Sequence, residues 1–578
     1  MRFVPPRHKA NDIREDDAMK SAMLPLLISA ATGFGAIAAE PPLSSKPIDP
    51  AALSATVKVL ASDDFLGRAP GTEGEKKTVA YLIQRFKAMG LSPAGEDGGW
   101  TQSVALLRTK IEANPSLSID GLGAPIALKE NDQIAVNTLQ DVDTLAIDKA
   151  PIIFVGYGVT APERDWDDFK GVDLHGKVAV FLVNDPDFEA MADEPVFGKF
   201  GGKAMTYYGR WPYKFAEAAR RGAAAALIVH ETAAAGYDWS VPSAKGDEAY
   251  GVALTAGAAQ PVPLQGWIRR DVAVDLFRRA GLDFEELKKS ARSNDFRPVA
   301  LGQASFSAQA KVSRTEVQSQ NVLAKIPGTR HPDQTVFFSA HWDAFGVGEP
   351  DARGQTIRHG ANDDGLGAAG VLEIARAFSQ QKKPDRTLVF ALWTAEESGL
   401  LGSEYYASHP IYPLDKTVAN LTMDVLQTAG PARDVMLVGA GQNSLESDLG
   451  KAAKAQKRTV TADFHPEKGL FYRADHFSFA KRGVPTLLIM ALGGGPDLIQ
   501  GGREAGNRWV DDYTLKCYHK PCDAWSPDWD LRGAAQDVAL VYKVGADLAA
   551  SREWPDWSDS SEFKGVRAAT KAARGKNE

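Results

Sequence analysis

Thr335-Val336-Phe337-Phe338-Ser339-Ala340 runs without a break into His341-Trp342-Asp343, and that junction decides the fold. A short apolar, aromatic-rich run of this length reads as a buried strand, and the residues capable of acid, base or metal chemistry begin where it stops. The same arrangement recurs downstream. Residues 387–393 form an apolar run that ends in Thr394-Ala395-Glu396-Glu397-Ser398-Gly399, and residues 421–423 end at Asp424. A fourth run, 485–490, follows, and helical periodicity fills 366–378 and 534–548. Strands that alternate with helices in this way predict an α/β fold with a mainly parallel sheet sandwiched by helices. Such sheets hold their ligands in the crevice at the carboxyl ends of the strands, which is where these polar residues fall.

The rest of the chain is consistent with a large globular protein. It has 578 residues, 44% hydrophobic and 24% charged, and its length predicts more than one domain. Sixty-six basic residues against 74 acidic ones give a net charge of -8, and no Lys/Arg block is dense enough to follow a phosphate backbone, so nucleic acid is excluded as a partner. The two cysteines, Cys517 and Cys522, rule out a disulfide-built scaffold and leave room for one local bridge.

Towards the N-terminus, Met19-Lys20 is followed by a Leu-, Ile- and Ala-rich run over 21–36 and by Ala36-Ile37-Ala38. This layout predicts a secretory signal peptide over 19–38, preceded by an upstream extension over 1–18. The run is shorter than the roughly 20 residues of a bilayer span, so no stable membrane span is expected after cleavage. A periplasmic or secreted location follows. Val79, Leu82, Ile83 and Phe86 recur at helical spacing before a Gly90 stop, opening the first part of a catalytic domain over 39–148. The texture then changes. A β-rich beginning at 152–159 and 177–183 leads through Tyr207-Tyr208-Gly209-Arg210-Trp211-Pro212-Tyr213 into a helix and strand over 215–229, and 149–292 reads as an inserted module. The catalytic domain resumes over 293–557, and the polar, Lys/Arg-rich segment 558–578 is expected to be disordered.

The strand-end residues make a chemical set. His341, Asp363 in Gly360-Ala361-Asn362-Asp363-Asp364-Gly365, Glu397, Asp424 and His519 in Cys517-Tyr518-His519-Lys520-Pro521-Cys522 supply two imidazoles and three carboxylates, with Glu396 to spare. Zinc accepts imidazole nitrogen and carboxylate oxygen, and a catalytic site keeps one position open. One shared carboxylate, with one His and one further carboxylate per ion, satisfies two Zn2+ ions. A pair about 3.5–4 Å apart can share a bridging water, acidify it and polarise a scissile carbonyl. A neighbouring carboxylate must then carry the proton to the leaving amine, and the adjacent Glu396 and Glu397 suit a division between base and ligand. Asp343, two residues after His341, is positioned to orient its imidazole.

These residues resemble the di-zinc exopeptidases of peptidase clan MH, the family of secreted bacterial aminopeptidases that also includes glutamate carboxypeptidase, glutaminyl cyclase and the non-enzymatic transferrin receptor. The similarity runs from Leu66-Gly67-Arg68-Ala69-Pro70-Gly71-Thr72 to Cys522. It implies that His341 and Asp424 hold one zinc, that Glu397 and His519 hold the other, that Asp363 bridges them and that Glu396 is the general base. It also implies a cis Asp363–Asp364 bond and a Cys517–Cys522 disulfide. His476, in Tyr472-Arg473-Ala474-Asp475-His476-Phe477, looks like the family's Arg-Ser-Asp-His segment, whose His is not a ligand, whereas His519 matches the Tyr-His element that is. Tyr518 and Arg473 take, by the same resemblance, the roles of polarising the substrate carbonyl and stabilising the oxyanion; an ion pair with Asp475 is the other reading of Arg473. Ala474 and Ala524 depart from the family's Ser and Thr. The inserted segment resembles a protease-associated (PA) domain, in which Trp211 and Tyr213 either line a substrate groove or pack.

The expected activity is that of a zinc aminopeptidase acting on peptides through a metal-bridging hydroxide. A carboxypeptidase or amide hydrolase of the same fold is the alternative, and the intact ligand set argues against a receptor-like relative. Nothing in the sequence specifies side-chain preference or oligomeric state.

Overall fold

The computed structural model describes residues 47–244, 248–254 and 259–574, so the expected leader and upstream extension lie outside the described residues. Helix α1 (Pro50–Leu60) starts on Asp49, whose side chain accepts from the Ala51 N–H, with Pro50 in the first turn, where its missing N–H costs nothing. Helix α2 (Glu73–Ala88) is the one marked by the helical spacing in the sequence, and it buries Val79, Leu82 and Phe86. Strand β1 (Thr101–Ile111) leads into a second module. There β2 (Thr144–Phe154), β3 (Val178–Leu182), β4 (Ala225–His230) and β5 (Leu264–Arg269) lie parallel in that order, with α3 (Trp211–Arg220) between β3 and β4.

The two parts share one strand. Strand β6 (Val299–Ile326) pairs antiparallel with β2 through its first half and with β1 through its second. Its alternation of buried and exposed residues gives way to near-continuous burial after Asn321, where it enters the main sheet. The core of the second module draws on Ile111, Leu117 and Ile119 before the expected 149–292 segment, and on Leu301, Phe306 and Val312 after it.

The main sheet continues through β7 (His331–His341), helix α4 (Leu366–Ser379), β8 (Arg386–Trp393), β9 (Thr417–Met423), β10 (Asp434–Val438), β11 (Thr459–Ala462), β12 (Thr486–Ile489) and helix α5 (Arg532–Ala550). Its order is β1-β6-β8-β7-β9-β12-β10-β11. The four central strands β8, β7, β9 and β12 are parallel, while β6 and the β10/β11 pair are joined to them antiparallel. The sheet is mixed, with helices on its faces, and the α/β class expected from the sequence is the one observed.

Burial holds the parallel centre together. Phe338 of β7 stacks on Phe390 of β8 at 5.5 Å and 12°, and each fully buried ring of this kind stabilises the fold by about 2–3 kcal/mol. Helix α4 is buried along nearly its whole length because Gly367, Ala368, Ala369 and Gly370 let it lie close to its neighbours. A Cβ on Gly370 would sit 3.0 Å from Met423 of β9 and 3.1 Å from Val538 of α5, so the helix is wedged between sheet and outer helix. This packing fixes the loops on either side of α4, which carry the site.

The segment after Trp557 corrects one expectation. Residues 558–574 are folded, not disordered: Trp557, Phe563 and Arg567 are buried, Lys564–Ala569 is helical, and the Trp557 indole donates to the Gly483 carbonyl at 2.9 Å. Averaged composition conceals a few anchors of this kind spaced along a polar tail. Among the described residues no helix is long and apolar enough to cross a membrane.

Candidate metal centre and active site

The carboxyl ends of β7, β8 and β9 converge on one point. His341 closes β7, with Nδ1 3.2 Å from the main-chain oxygen of Asp343 and 3.5 Å from its Oδ1, which turns Nε2 towards Asp363 Oδ1 at 3.2 Å. On the far side of Asp363, Oδ2 lies 3.2 Å from His519 Nε2, which is 3.3 Å from Glu397 Oε2. The result is two triads, His341/Asp363/Asp424 and Asp363/Glu397/His519, each with its ligand atoms within 4.8 Å of one another. Each offers one imidazole nitrogen, one carboxylate of its own and a share in Asp363, which is the donor set of a zinc ion with a position left open. Glu396 belongs to neither triad, and its Oε2 is 3.8 Å from His341 Nε2.

Buried polar contacts hold this geometry. Asp343 serves both sides, since its carboxylate also accepts the Glu396 N–H at 3.0 Å and the Glu397 N–H at 3.4 Å. The Asp363 loop turns at Gly360, where φ is +55° and a Cβ would lie 2.4 Å from the Asp363 carbonyl, so a side chain is excluded there. Below it, Asp523 accepts the Asn362 and Asp363 N–H groups at 3.0 and 3.1 Å. Arg68, fully buried, donates to the carbonyls of Leu60, Trp342, His359 and Gly360 at 2.6–3.0 Å. The Asp363–Asp364 peptide is cis. Arg68 and Asp523 were not singled out by the sequence reading. Arg68 ends the short turn Asp63–Arg68, inside the stretch that opens the resemblance, and Asp523 directly follows Cys522, but neither position carries a periodicity that would mark it as a support.

The electrostatics suit dications. Burial pushes Glu396 and Glu397 well above the usual carboxylate range, and Asp424 and Asp363 add to the effect. Burial, with Asp363 beside it, raises Asp424 to about 8. Burial alone would lower His341, but Glu396, Asp343 and Asp363 outweigh it and hold the imidazolium well above its ordinary value. These carboxylates are too close to ionise together without cations among them. Metal ions held by His341, Asp363 and Asp424 and by Asp363, Glu397 and His519 would supply that charge.

The remaining candidates lie as follows. The Tyr518 ring lies against that of His519, with centroids 3.7 Å apart and a tilt of 31°. Cys517 and Cys522, with Cα atoms 5.0 Å apart, are joined as a disulfide around them. Arg473 is exposed and makes no ion pair with Asp475 or any other described residue. Tyr213 is packed in the second module and its hydroxyl accepts the Thr160 N–H at 3.0 Å, while Trp211 packs on Phe215, so both serve packing. His476 stays out of both triads. It is fully buried against Phe471 at 4.7 Å, and neither ring nitrogen has a hydrogen-bond partner.

Burial lowers the His476 pKa to about 3. Between pH 6.5 and 3 the unfolded chain takes up a proton there that the folded chain refuses, so stability falls as pH drops through this window. We expect His476→Phe to remove about one proton from the acid limb, roughly 1.4 kcal/mol per pH unit, in denaturant melts between pH 6.5 and 4. An unchanged slope would show that the imidazole is accommodated in its charged form.

Comparison with known proteins bears on the same segment. Residues 321–543 match the family model described as Peptidase family M28. Aminopeptidase Y of Saccharomyces cerevisiae is 29% identical over 224 residues, covering 37% of this chain and 36% of that protein. Leucine aminopeptidase 2 of Trichophyton equinum is 31% identical over 174 residues, covering 29% and 32%. The chain spans about a third of the length of these curated relatives. Among solved structures, an aminopeptidase from Aneurinibacillus sp. strain AM-1 aligns with 87% of this chain and 94% of its own at 19% identity and a TM-score of 0.46. A zinc aminopeptidase from Bacillus subtilis aligns with 90% and 99% at 18% identity and a TM-score of 0.41. Residues 321–543, the segment that matches the Peptidase family M28 model, hold every member of both triads.

Proposed function

We propose that this chain is a di-zinc aminopeptidase that works in the periplasm or outside the cell, removing N-terminal residues from peptides. The observation that carries the reading is the pair of triads sharing Asp363, with Glu396 left free beside them. When bound, zinc supplies Lewis acidity towards the scissile carbonyl and towards water.

The protein's own residues do the rest. Glu396 takes the proton of the attacking water, whose oxygen bonds to the carbonyl carbon, and returns it to the amine as the C–N bond breaks. Its raised pKa, set first by burial, brings a carboxyl towards the range in which it can both accept and release a proton. Tyr518 and Arg473 offer donors to the developing oxyanion. Asp343 orients the His341 ring and, through two backbone N–H groups, the Glu396-Glu397 pair. Export is supported by the apolar run over 21–36 and by the disulfide, which persists in oxidising compartments.

The test is mass spectrometry of a peptide pool, free and N-acetylated, incubated with the zinc-loaded protein. Stepwise loss of N-terminal residues from the free peptides alone is the expected result. Trimming from the C-terminus, or cleavage of the acetylated peptides, would overturn it.

A further inference from the structure

The second module joins the main domain, which carries the main sheet, on two sides. On one, β6 passes without a break from the module's sheet into the main sheet. On the other, the turn Tyr207–Gly209 and the residues before it come down on the segment 466–477. There the Met205 N–H donates to the Pro466 carbonyl at 3.1 Å, and the Tyr207 ring meets Phe477 at 5.1 Å and Tyr472 at 6.4 Å. The same apolar cluster takes in Leu400, whose N–H donates to the Glu396 carbonyl at 2.9 Å, so this junction adjoins the loop of the candidate base.

The C-terminal segment crosses this junction. Trp557 and Phe563, buried with ring centroids 4.9 Å apart, seat it on the main domain, and the Ser558 N–H donates to the Gln442 carbonyl at 2.8 Å. The helix over 564–569 then lies on Gly483, where a Cβ would stand 2.7 Å from the Arg567 nitrogen. Glu562, between the two aromatic anchors, turns its side chain into the junction, where it is 4% exposed. Its Oε1 accepts the Tyr472 hydroxyl of the main domain at 2.9 Å and the Tyr207 N–H of the second module at 3.3 Å. Its Oε2 faces Arg164 of the second module at 3.8 Å, and the Arg164 guanidinium also donates to the Ser560 carbonyl at 3.4 Å. One oxygen that accepts a donor from each body fixes their separation, and a buried carboxylate is stable only while its donors stay in place.

We propose that residues 556–567 are a strap that fastens the second module onto the main domain, with Glu562 as its lock, and that the strap thereby sets how far the module stands from the Glu396 loop. Glu562 is a positioning residue in this scheme: it acts on the site through Tyr207, Tyr472 and the cluster that holds Leu400. With the lock made, a peptide bound beside Glu396 meets a fixed wall on the side of the module. With it broken, β6 still tethers the module but the wall is free to swing. The part of the proposal that concerns peptide access rests on the aminopeptidase reading; the part that concerns attachment does not.

Hydrogen exchange of the full chain, read by mass spectrometry on fragments containing Met205, tests the attachment. The Met205 N–H bonds to Pro466 across the junction and not to Glu562, so it reports separation of the two bodies rather than loss of the lock's own bonds. Glu562→Ala is expected to speed exchange there at least about tenfold, the size of a hydrogen bond to a charged group, while β4 in the module core keeps its wild-type protection. Unchanged exchange at Met205 would overturn the strap. Equal acceleration in β4 would overturn it too, because Glu562 would then serve the module's own fold. Glu562→Gln keeps an acceptor for Tyr207 and Tyr472 but loses the charge facing Arg164, and about threefold acceleration is expected; it decides the question by the same criteria if the alanine variant does not fold. Access is read separately, on the zinc-loaded chain with a pentapeptide. Glu562→Ala should raise KM at least about fivefold with kcat within about twofold of wild type, the pattern of lost binding with intact chemistry. Faster exchange with an unchanged KM, or a fall in kcat at constant KM, would refute the access role. If the wild type cleaves no peptide, the aminopeptidase reading fails while the exchange result still decides the strap.

Discussion

Glu396→Gln is expected to keep the full metal content of the wild-type chain while losing about 10²- to 10⁴-fold in kcat, the range that a positioned general base contributes. The geometry separates the two effects. Glu396 belongs to neither triad, whereas its neighbour Glu397 lies 3.3 Å from His519 and shares a triad with it. The backbone N–H groups of both are held by Asp343, and an amide at 396 leaves those bonds in place. Gln also preserves the shape of the side chain, so KM should change far less than kcat, the pattern of an interaction needed in the transition state. Metal analysis and steady-state kinetics on the same preparation are the measurement. Full activity would remove Glu396 as the base, and loss of metal with activity would make it a ligand.

The separation between adjacent glutamates shows what the sequence could and could not reveal. Strand ends at 340, 393 and 423 were legible because the central strands are buried on both faces and leave uninterrupted apolar runs; the polar residues after each run then fall at one end of the sheet by topology alone. His341, Glu397 and Asp424 were therefore nameable before any geometry was known, whereas Asp363 and His519 stand in loops and the choice of His519 over His476 came from the family resemblance. The supports were not. Arg68 holds the Asp363 loop from almost 300 positions away through four carbonyls, and a carbonyl partner leaves no trace in side-chain pattern. Asp523 does the same work through two N–H groups.

Module limits were obscured for a related reason. Strand β6 serves two sheets in succession, so no change of composition marks the point at which it leaves one and enters the other. In the aromatic stretch at 207–213, Trp211 and Tyr213 pack inside the second module, a role that residue type alone does not separate from lining a groove.

The metal content of three substitutions should differ in a fixed order. Asp363→Ala is expected to lose both ions, His519→Ala to lose one, and His476→Ala to lose neither, measured as metal per chain after gel filtration. Asp363 is common to both triads, and removing its carboxylate leaves each with one imidazole and one carboxylate, too few donors to hold zinc against buffer. The loop itself should survive, because Asp523 and Arg68 hold its backbone and do not depend on the missing side chain. His519 contributes to one triad only, so His341, Asp363 and Asp424 remain as a set when it is removed. His476 is buried against Phe471, outside either set, and its loss should appear in stability and not in metal. Retention of both ions by Asp363→Ala would refute the shared ligand, since two complete sites would then have to exist without it. Loss of an ion from His476→Ala, with His519→Ala unaffected, would exchange the two histidines and with them the assignment of the loop that Cys517 and Cys522 enclose.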